Sequence, residues 1–373
     1  LCTGELSLPD AVAAINGEVM IFLFGMFLIG EAVAAGGYLS AIAETICRIA
    51  MTKDQLLILL IGGFAVSSAV LMNDTVAVIG TPLVLSVASR YRVPPVPALL
   101  VLCFSLTTGS VMSPVGNPQN LLIATFWDPV NPFLAFAGGL VVPTVISLGL
   151  VYLLMRGRCR RDADEVPSPP LPTRSDRRLE VATALSLLLL SLFILMRIAG
   201  SLLGGYGEIP LGYIALISAL PVLILARQRV SLVRGIDWRT LIFFASMFIL
   251  MQGVYNSGWF QGSVPFQDLT SVPALFALSL VLSQFISNVP FIALFEPVIA
   301  ASGLSPGGML SLAAGSTIAG NLTILGAASN VIVAQQAEKA GITLTFRDFL
   351  RAGVPLTILQ ALVYMIWLIF LPS

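Results

Sequence analysis

Apolar stretches long enough to cross a bilayer recur from one end of this chain to the other, and charge is confined to the gaps between them. A spanning helix needs about 20 apolar residues. Such stretches stand near 18–36, 135–155, 181–201, 209–227, 239–257 and 350–371, each nearly free of charge inside. Of the 373 residues, 57% are hydrophobic and 10% charged, whereas soluble domains carry about 25% charged residues. A water-soluble enzyme, a nucleic-acid binder or a disordered scaffold would have too little polar surface to show to solvent. What remains is a polytopic membrane protein whose first partner is the lipid bilayer. The chain opens on Leu1 and not on methionine, so one or more spans are expected ahead of it; no signal peptide is visible.

Several chemistries fall away at once. Histidine is absent, which removes Ser-His-Asp triads, Cys-His dyads and histidine zinc sites. Cys2, Cys47, Cys103 and Cys159 form no CxxC pair, so neither a disulfide framework nor a thiolate metal site is indicated. An intramembrane enzyme needs a nucleophile with a base, or paired acids at depth, and neither HExxH nor GxGD occurs. Basic and acidic residues balance at 19 each, which points to no bulk electrostatic partner and to no nucleic acid. No cofactor is expected beyond a coupling ion.

Positive charge sets the sidedness. The longest polar loop, 156–178, holds Arg156, Arg158, Arg160, Arg161, Arg174, Arg177 and Arg178. Other basic loops carry Arg227, Arg229 and Arg234, Arg48 with Lys53, Arg90 with Arg92, and Lys339 with Arg347. The opposite loops, 127–133, 202–208, 258–268 and 302–306, contain no Lys or Arg. The basic group, including 156–180 and 227–238, is expected in the cytoplasm of a prokaryotic cell, with the protein in the inner membrane.

The two halves resemble each other. INGEVMIFLFGMFLIGEAVAAGGYL from Ile15 matches IDWRTLIFFASMFILMQGVYNSGWF from Ile236, with Glu31 on Gln252. MNDTVAVIGTPLV matches SNVPFIALFEPVI, with Asn73 on Asn288. SPVGNPQNLLI matches TILGAASNVIV, with Gly116 on Gly326 and Asn120 on Asn330. Basic residues follow the helix at 18–36 but precede the one at 239–257, so the copies should point in opposite directions. The organisation expected is a first inverted repeat over 1–155, a linker over 156–180, a connecting helix pair over 181–235 and a second repeat over 236–373.

Four apolar regions are longer than one crossing needs and are interrupted near their middles. Two read as re-entrant hairpins, 54–90 and 270–301, and two as broken helices, 96–126 and 306–338. In lipid an interrupted backbone survives only where protein or a water-filled cavity satisfies it. Paired interruptions in inverted halves point to a transporter site near the bilayer midplane. The breaks offer free carbonyls, amides and hydroxyls for a hard cation, and half-helix N-termini for an anion.

The acids at membrane depth are Asp74, Glu31 and Glu296. An ionised side chain there costs about 2.5–3.5 kcal/mol, so Asp74 should be paired, protonated or cation-bound. Glu31, opposite Gln252 in the repeat, reads as a helix–helix hydrogen-bonding residue. Glu296 matches Thr81 and has no acidic counterpart. With acids and no fixed base, an anion would bind well only after a cation.

The pair NDTVAVIGTP and SNVPFIALFEP, with SPVGNPQN and TILGAASN, resembles the ion transporter superfamily. Its nearest branches are citrate-transporter-like permeases, which include arsenite permeases, and type D sodium–proton antiporters; the divalent anion:sodium symporters are more distant. The resemblance implies an all-α fold of two inverted repeats, each with a re-entrant hairpin and a broken helix. It also implies a scaffold, an elevator-type transport domain and a homodimer. In the symporters each hairpin tip carries Ser-Asn-Thr. Here the asparagines carry over, but Asp74 and Val289-Pro290 break the triplet, as in the Asn-Asp or Asn-Asn tips of the permease and antiporter branches.

The function expected is secondary transport of a small anion, or of arsenite or a similar oxyanion or carboxylate, coupled to Na⁺ or H⁺. A Na⁺/H⁺ antiporter without an anion site is the alternative. The substrate residues expected are Asn73, Thr75, Asn117, Asn120, Ser287, Asn288, Thr323, Ser329 and Asn330. Asp74, Gly116, Gly326 and Glu296 are expected to couple the ion, with Na⁺ at Asn73, Gly116, Asn288 and Gly326.

Overall fold

The computed structural model describes residues 6–127, 131–163, 176–202, 209–258, 271–302 and 304–371; the side chains of 202 and 296–302 lie outside it. Among the described residues all regular structure is helical. Among the described residues six helices are long and apolar enough to cross a membrane: α2 (Gly17–Ala35), α4 (Lys53–Leu71), α8 (Pro132–Cys159), α9 (Arg177–Leu202), α12 (Trp238–Asn256) and α17 (Phe346–Ile369). Short α1 (Leu8–Ala13) precedes them, and amphipathic α3 (Tyr38–Ile49) follows α2.

Two expectations need adjusting. The stretch at 209–227 gives α10 (Leu211–Leu225), shorter than a crossing: Pro210 lies before its first turn, and Ala226 leaves the helical conformation just ahead of Arg227. The first arm of the expected hairpin at 54–90, α4, is itself long enough to span. Of the expected linker, residues to Cys159 continue α8, α9 begins at Arg177, and 164–175 lie outside the described residues.

One group of helices forms around α2. It packs along α10, and α9, α11 (Arg229–Gly235) and α12 also lie against it. Small residues permit the approach. A Cβ on Gly25 would stand 2.7 Å from the carbonyl carbon of Ala215, and one on Gly212 would stand 2.8 Å from the Glu18 carbonyl oxygen. The Glu18 carboxylate accepts the Leu211 N–H at 2.8 Å and so satisfies one of the orphan donors of α10.

The second group holds the interrupted segments. In the first half these are α4, α5 (Asn73–Arg90), α6 (Pro95–Ser110) and α7 (Pro118–Phe126). In the second half they are α13 (Val272–Ile286), α14 (Asn288–Ser302), α15 (Pro306–Ala319) and α16 (Ala328–Lys339). The halves pack alike: α4 lies on α6 where Gly109 meets Ala65, and α13 lies on α15 where Gly315 meets Phe276 and Ser279. They also interlock, since α5 packs on α16 and α14 packs on α7. Each hairpin's second arm therefore lies on the other half's short helix. The two groups meet where α2 touches α5 and α7 and where α12 touches α14.

At the end of α4 that carries the basic residues, Lys53 donates to the carbonyls of Arg92 and Arg161 at 3.2 and 2.9 Å and pairs with Asp162 at 2.9 Å. Arg160 pairs with Asp54 beside it. These contacts tie the chain leaving α8 to the base of the first hairpin, and the Lys53 ammonium holds the Asp162 carboxyl below its usual range.

Candidate functional site

Each hairpin reverses at a single residue. Met72 stands between α4 and α5 with φ 69° and ψ 142°; Ser287 stands between α13 and α14 with φ 74° and ψ 158°. Only glycine adopts this region without cost, and other residues give up about 1–3 kcal/mol there. The reversal lets each second arm restart as a helix with its first N–H groups unpaired within the helix. Asn73, Asp74 and Thr75 are thus the first turn of α5, and Asn288 opens α14. An acid in a first turn complements the positive end of the helix, and Asp74 takes that position.

The first tip is pinned to both breaks. The Asn73 backbone N–H donates to the Gly116 carbonyl at 2.8 Å, while its side-chain amide donates to Ser329 Oγ in the other half at 3.4 Å. Thr75 lies against α2: a Cβ on Gly30 would stand 2.1 Å from its Cγ2. Asn288 is buried in the first turn of α14, the helix that packs on α7.

The breaks are built alike. Asn120 donates its amide to the carbonyls of Ser110 and Ser113, both at 3.1 Å. Asn330 donates to those of Gly320 and Thr323, at 2.7 and 3.3 Å. These bonds satisfy carbonyls that the interrupted helices leave orphaned. Gly116 and Gly326 sit on the ends of the preceding half-helices, where a Cβ would stand 2.5 Å from the Ser110 oxygen and 3.0 Å from the Ala319 oxygen. Asn117 caps α7 by accepting the Asn120 N–H at 2.8 Å.

The breaks also differ. The second is gripped by Gln284, whose amide donates to the Ala319 carbonyl at 2.6 Å; Thr323 bonds the Gln284 oxygen at 3.5 Å. Asn321 donates to Gln360 of α17 at 2.8 Å and to Thr108 of α6 at 3.2 Å, and Gln360 donates to Thr108 at 2.9 Å. Gly353 lets α17 lie on the Asn321 carbonyl.

Asn73, Gly116, Ser329 and Asn330 are therefore brought together around the first tip and the second break. Asn117 and Asn120 spend their amides on the architecture of the first break. Glu296 lies on α14, and its side chain falls outside the described residues. Glu31 lies against Gly235 of α11, and Gln252, its match in the repeat, donates to Asn256 instead. Thr317, Gln119, Gln284 and Gln360 also bond at the breaks, and none of them is among the expected site residues. Thr317 was reachable: it follows Thr107 by the same 210 residues that separate Asn120 from Asn330.

The buried side-chain atoms left without a partner at the two tips and the second break include Asn73 Oδ1, Asp74 Oδ2, Thr75 Oγ1, Asn288 Oδ1 and Asn330 Oδ1. All are oxygens, while the amide nitrogens of Asn73, Asn117, Asn120 and Asn330 are engaged. Among the described residues no Lys or Arg pairs with Asp74. Such a set can receive a cation, a proton, or the O–H groups of a hydroxylated ligand.

Comparison with known proteins agrees with this architecture. The family model CitMHS, described as citrate transporter, matches residues 1–307. The chain is 26% identical to the silicon efflux transporter LSI3 of Oryza sativa subsp. japonica, over 95% of this chain and 86% of that one. It is 27% identical to a 46 kDa membrane protein of Mycobacterium leprae, over 93% of this chain and 84% of that one. In three dimensions it is similar to the Alcanivorax borkumensis YdaH transporter, with a TM-score of 0.62 at 16% identity, covering 97% of this chain and 86% of that one.

Proposed function

Because this chain belongs to the citrate transporter family, we propose that it is a secondary active transporter of a small oxyanion or carboxylate, or of the neutral hydroxylated acid of such an oxyanion, coupled to Na⁺ or H⁺. One observation carries the reading: buried side-chain oxygens at the two hairpin tips and at the second break lack donors, and among the described residues no Lys or Arg pairs with Asp74. Each costs about 1–3 kcal/mol while unsatisfied. A cation held by Asn73, Asp74 and the break carbonyls would relieve several at once and cancel the Asp74 charge.

The order of events follows from charge. An anion brought first would meet a carboxylate, so the cation binds first and the substrate second. A neutral hydroxylated acid fits the same oxygens by donating to them. The relative named a silicon efflux transporter supports that substrate class, since silicon dissolved in neutral water is an uncharged hydroxide. In this reading α2 and α9 to α12 form the scaffold, while the hairpins and broken helices carry the site across as an elevator. The repeats are inverted, the assembly is a homodimer, and no cofactor beyond the ion is required.

A thermal-shift panel on purified protein tests this. Arsenite, silicic acid, citrate and phosphate are compared in Na⁺ and in choline across pH. Stabilisation follows mass action, and the expected result is synergy between one cation and one ligand. Indifference to every cation and to pH would reject the reading.

The unpartnered Asp74 oxygen also favours a second reading, a Na⁺/H⁺ antiporter in which this carboxylate binds the two ions in turn. Proton flux in liposomes supplied with Na⁺ or Li⁺ alone would single it out.

A further inference from the structure

Thr317 is a residue of the second half whose hydroxyl sits inside the first half's break. It lies near the end of α15, 1% exposed. Its Oγ1 accepts from the Asn117 amide at 3.2 Å and from the Gln119 amide at 3.3 Å, and donates to Asn120 Oδ1 at 3.2 Å. Asn117, Gln119 and Asn120 are likewise buried, at 0%, 3% and 0%. One hydroxyl thus closes a buried network with three amides of the opposite repeat, and buried networks of this kind are stiff when every member is satisfied.

The matching position shows that this is not simply what the repeat dictates. Thr107, 210 residues earlier, stands beside the second break but turns its methyl to Gly320, 3.3 Å from where a Cβ would be, and its hydroxyl has no partner. The second break lacks two of the three amides, since Ala327 and Ser329 stand where the first has Asn117 and Gln119, and the third, Asn330, leaves its Oδ1 unpartnered. The second break is held by Gln284 and Asn321 instead.

The geometry points to Thr317 as a positioning residue that couples the two breaks, so that cation binding at one sets the shape of the other. This rests on the cation-coupled reading above. Asn117 and Asn120 fix the first break, including the Gly116 carbonyl that receives Asn73, and α15 leads directly into the second break. A shift of α15 on ion binding moves Thr317, and the three amides move with it. Coupling of this kind is reciprocal and spans about 5- to 150-fold in affinity.

Hydrogen exchange of the full-length protein, titrated with NaCl against choline chloride and repeated with pH as the variable, reads both breaks separately. In the wild type, peptides over 110–120 and over 320–330 should gain protection at one shared midpoint. Thr317→Val keeps the shape but removes the hydroxyl. The break that binds the ion should then keep its gain in protection, with its midpoint shifted by a factor within that 5- to 150-fold range, while the other break loses its gain. Thr317→Ser should keep both responses, which a merely structural loss would not predict. Gln119→Met, a milder change from the other side, should weaken the second response less. Both breaks responding in Thr317→Val as in the wild type, or loss of the joint response in Thr317→Ser, would overturn the coupling while leaving the cation reading intact. Breaks that respond to neither Na⁺ nor pH in the wild type would remove both.

Discussion

Asn120 and Asn330, 210 residues apart, donate their side-chain amides to corresponding carbonyls, ten and seven residues before each of them. The two asparagines are staples: each closes the gap between a half-helix that has ended and one that is about to begin. Backbone carbonyls freed at membrane depth must be satisfied by protein or by a water-filled cavity, and at both breaks an asparagine of the chain itself supplies that partner.

Removing a staple should therefore lower stability before it alters recognition. Asn330→Ala frees two carbonyls and is expected to cost about 1–3 kcal/mol per group left unsatisfied. Asn120→Ala should cost more, because Asn120 also accepts from Thr317. Thermal unfolding in detergent measures both, and wild-type stability in either variant would show that the amides are dispensable to the breaks.

Ser287 offers a test with the opposite sign. Its positive φ costs about 1–3 kcal/mol, whereas a new glycine gives up about 0.4–1 kcal/mol through the freer unfolded chain. The relief is the larger effect, so Ser287→Gly should raise stability by about 1 kcal/mol and Ser287→Val should lower it. A lower unfolding temperature for the glycine variant would mean that the hairpin reverses in some other way. Met72 shares the backbone geometry but is fully buried, so there a glycine would also empty a packed site.

The contact between α2 and the first tip has its own signature. A Cβ on Gly30 would collide with Thr75 Cγ2, and overpacking of this kind costs about 1–3 kcal/mol. Gly30→Ala should destabilise the protein, and Thr75→Ser, which deletes the colliding methyl, should recover most of the loss. Residues in contact show such non-additivity in a double-mutant cycle; strictly additive effects would place the tip away from α2.

The helical, multi-span class was legible because long apolar runs have few solutions in lipid. The positions of the breaks were legible because Asn, Gly and Pro interrupt otherwise apolar sequence, and the repeat showed which interruptions correspond. What individual side chains do there was less legible. Asn117 and Asn120 look like ligands in sequence, yet their amides hold the backbone, a role that depends on carbonyls no pattern displays. Thr317 and Gln360 are ordinary helix residues by composition and matter through the helices brought beside them. Glu31 and Gln252 match in the repeat but find different surroundings, because Glu31 lies against Gly235 of α11 whereas Gln252 bonds Asn256 of its own helix.

In the proposed transport cycle Asp74, buried at the tip of the first hairpin, links substrate movement to a cation gradient. Uptake of the ligand chosen by the thermal-shift panel, into liposomes with an imposed Na⁺ or pH gradient, tests it in the wild type and in Asp74→Asn. Gradient-driven accumulation is expected in the wild type, and in the variant transport that no longer responds to the ion. Unchanged ion dependence in Asp74→Asn would contradict it.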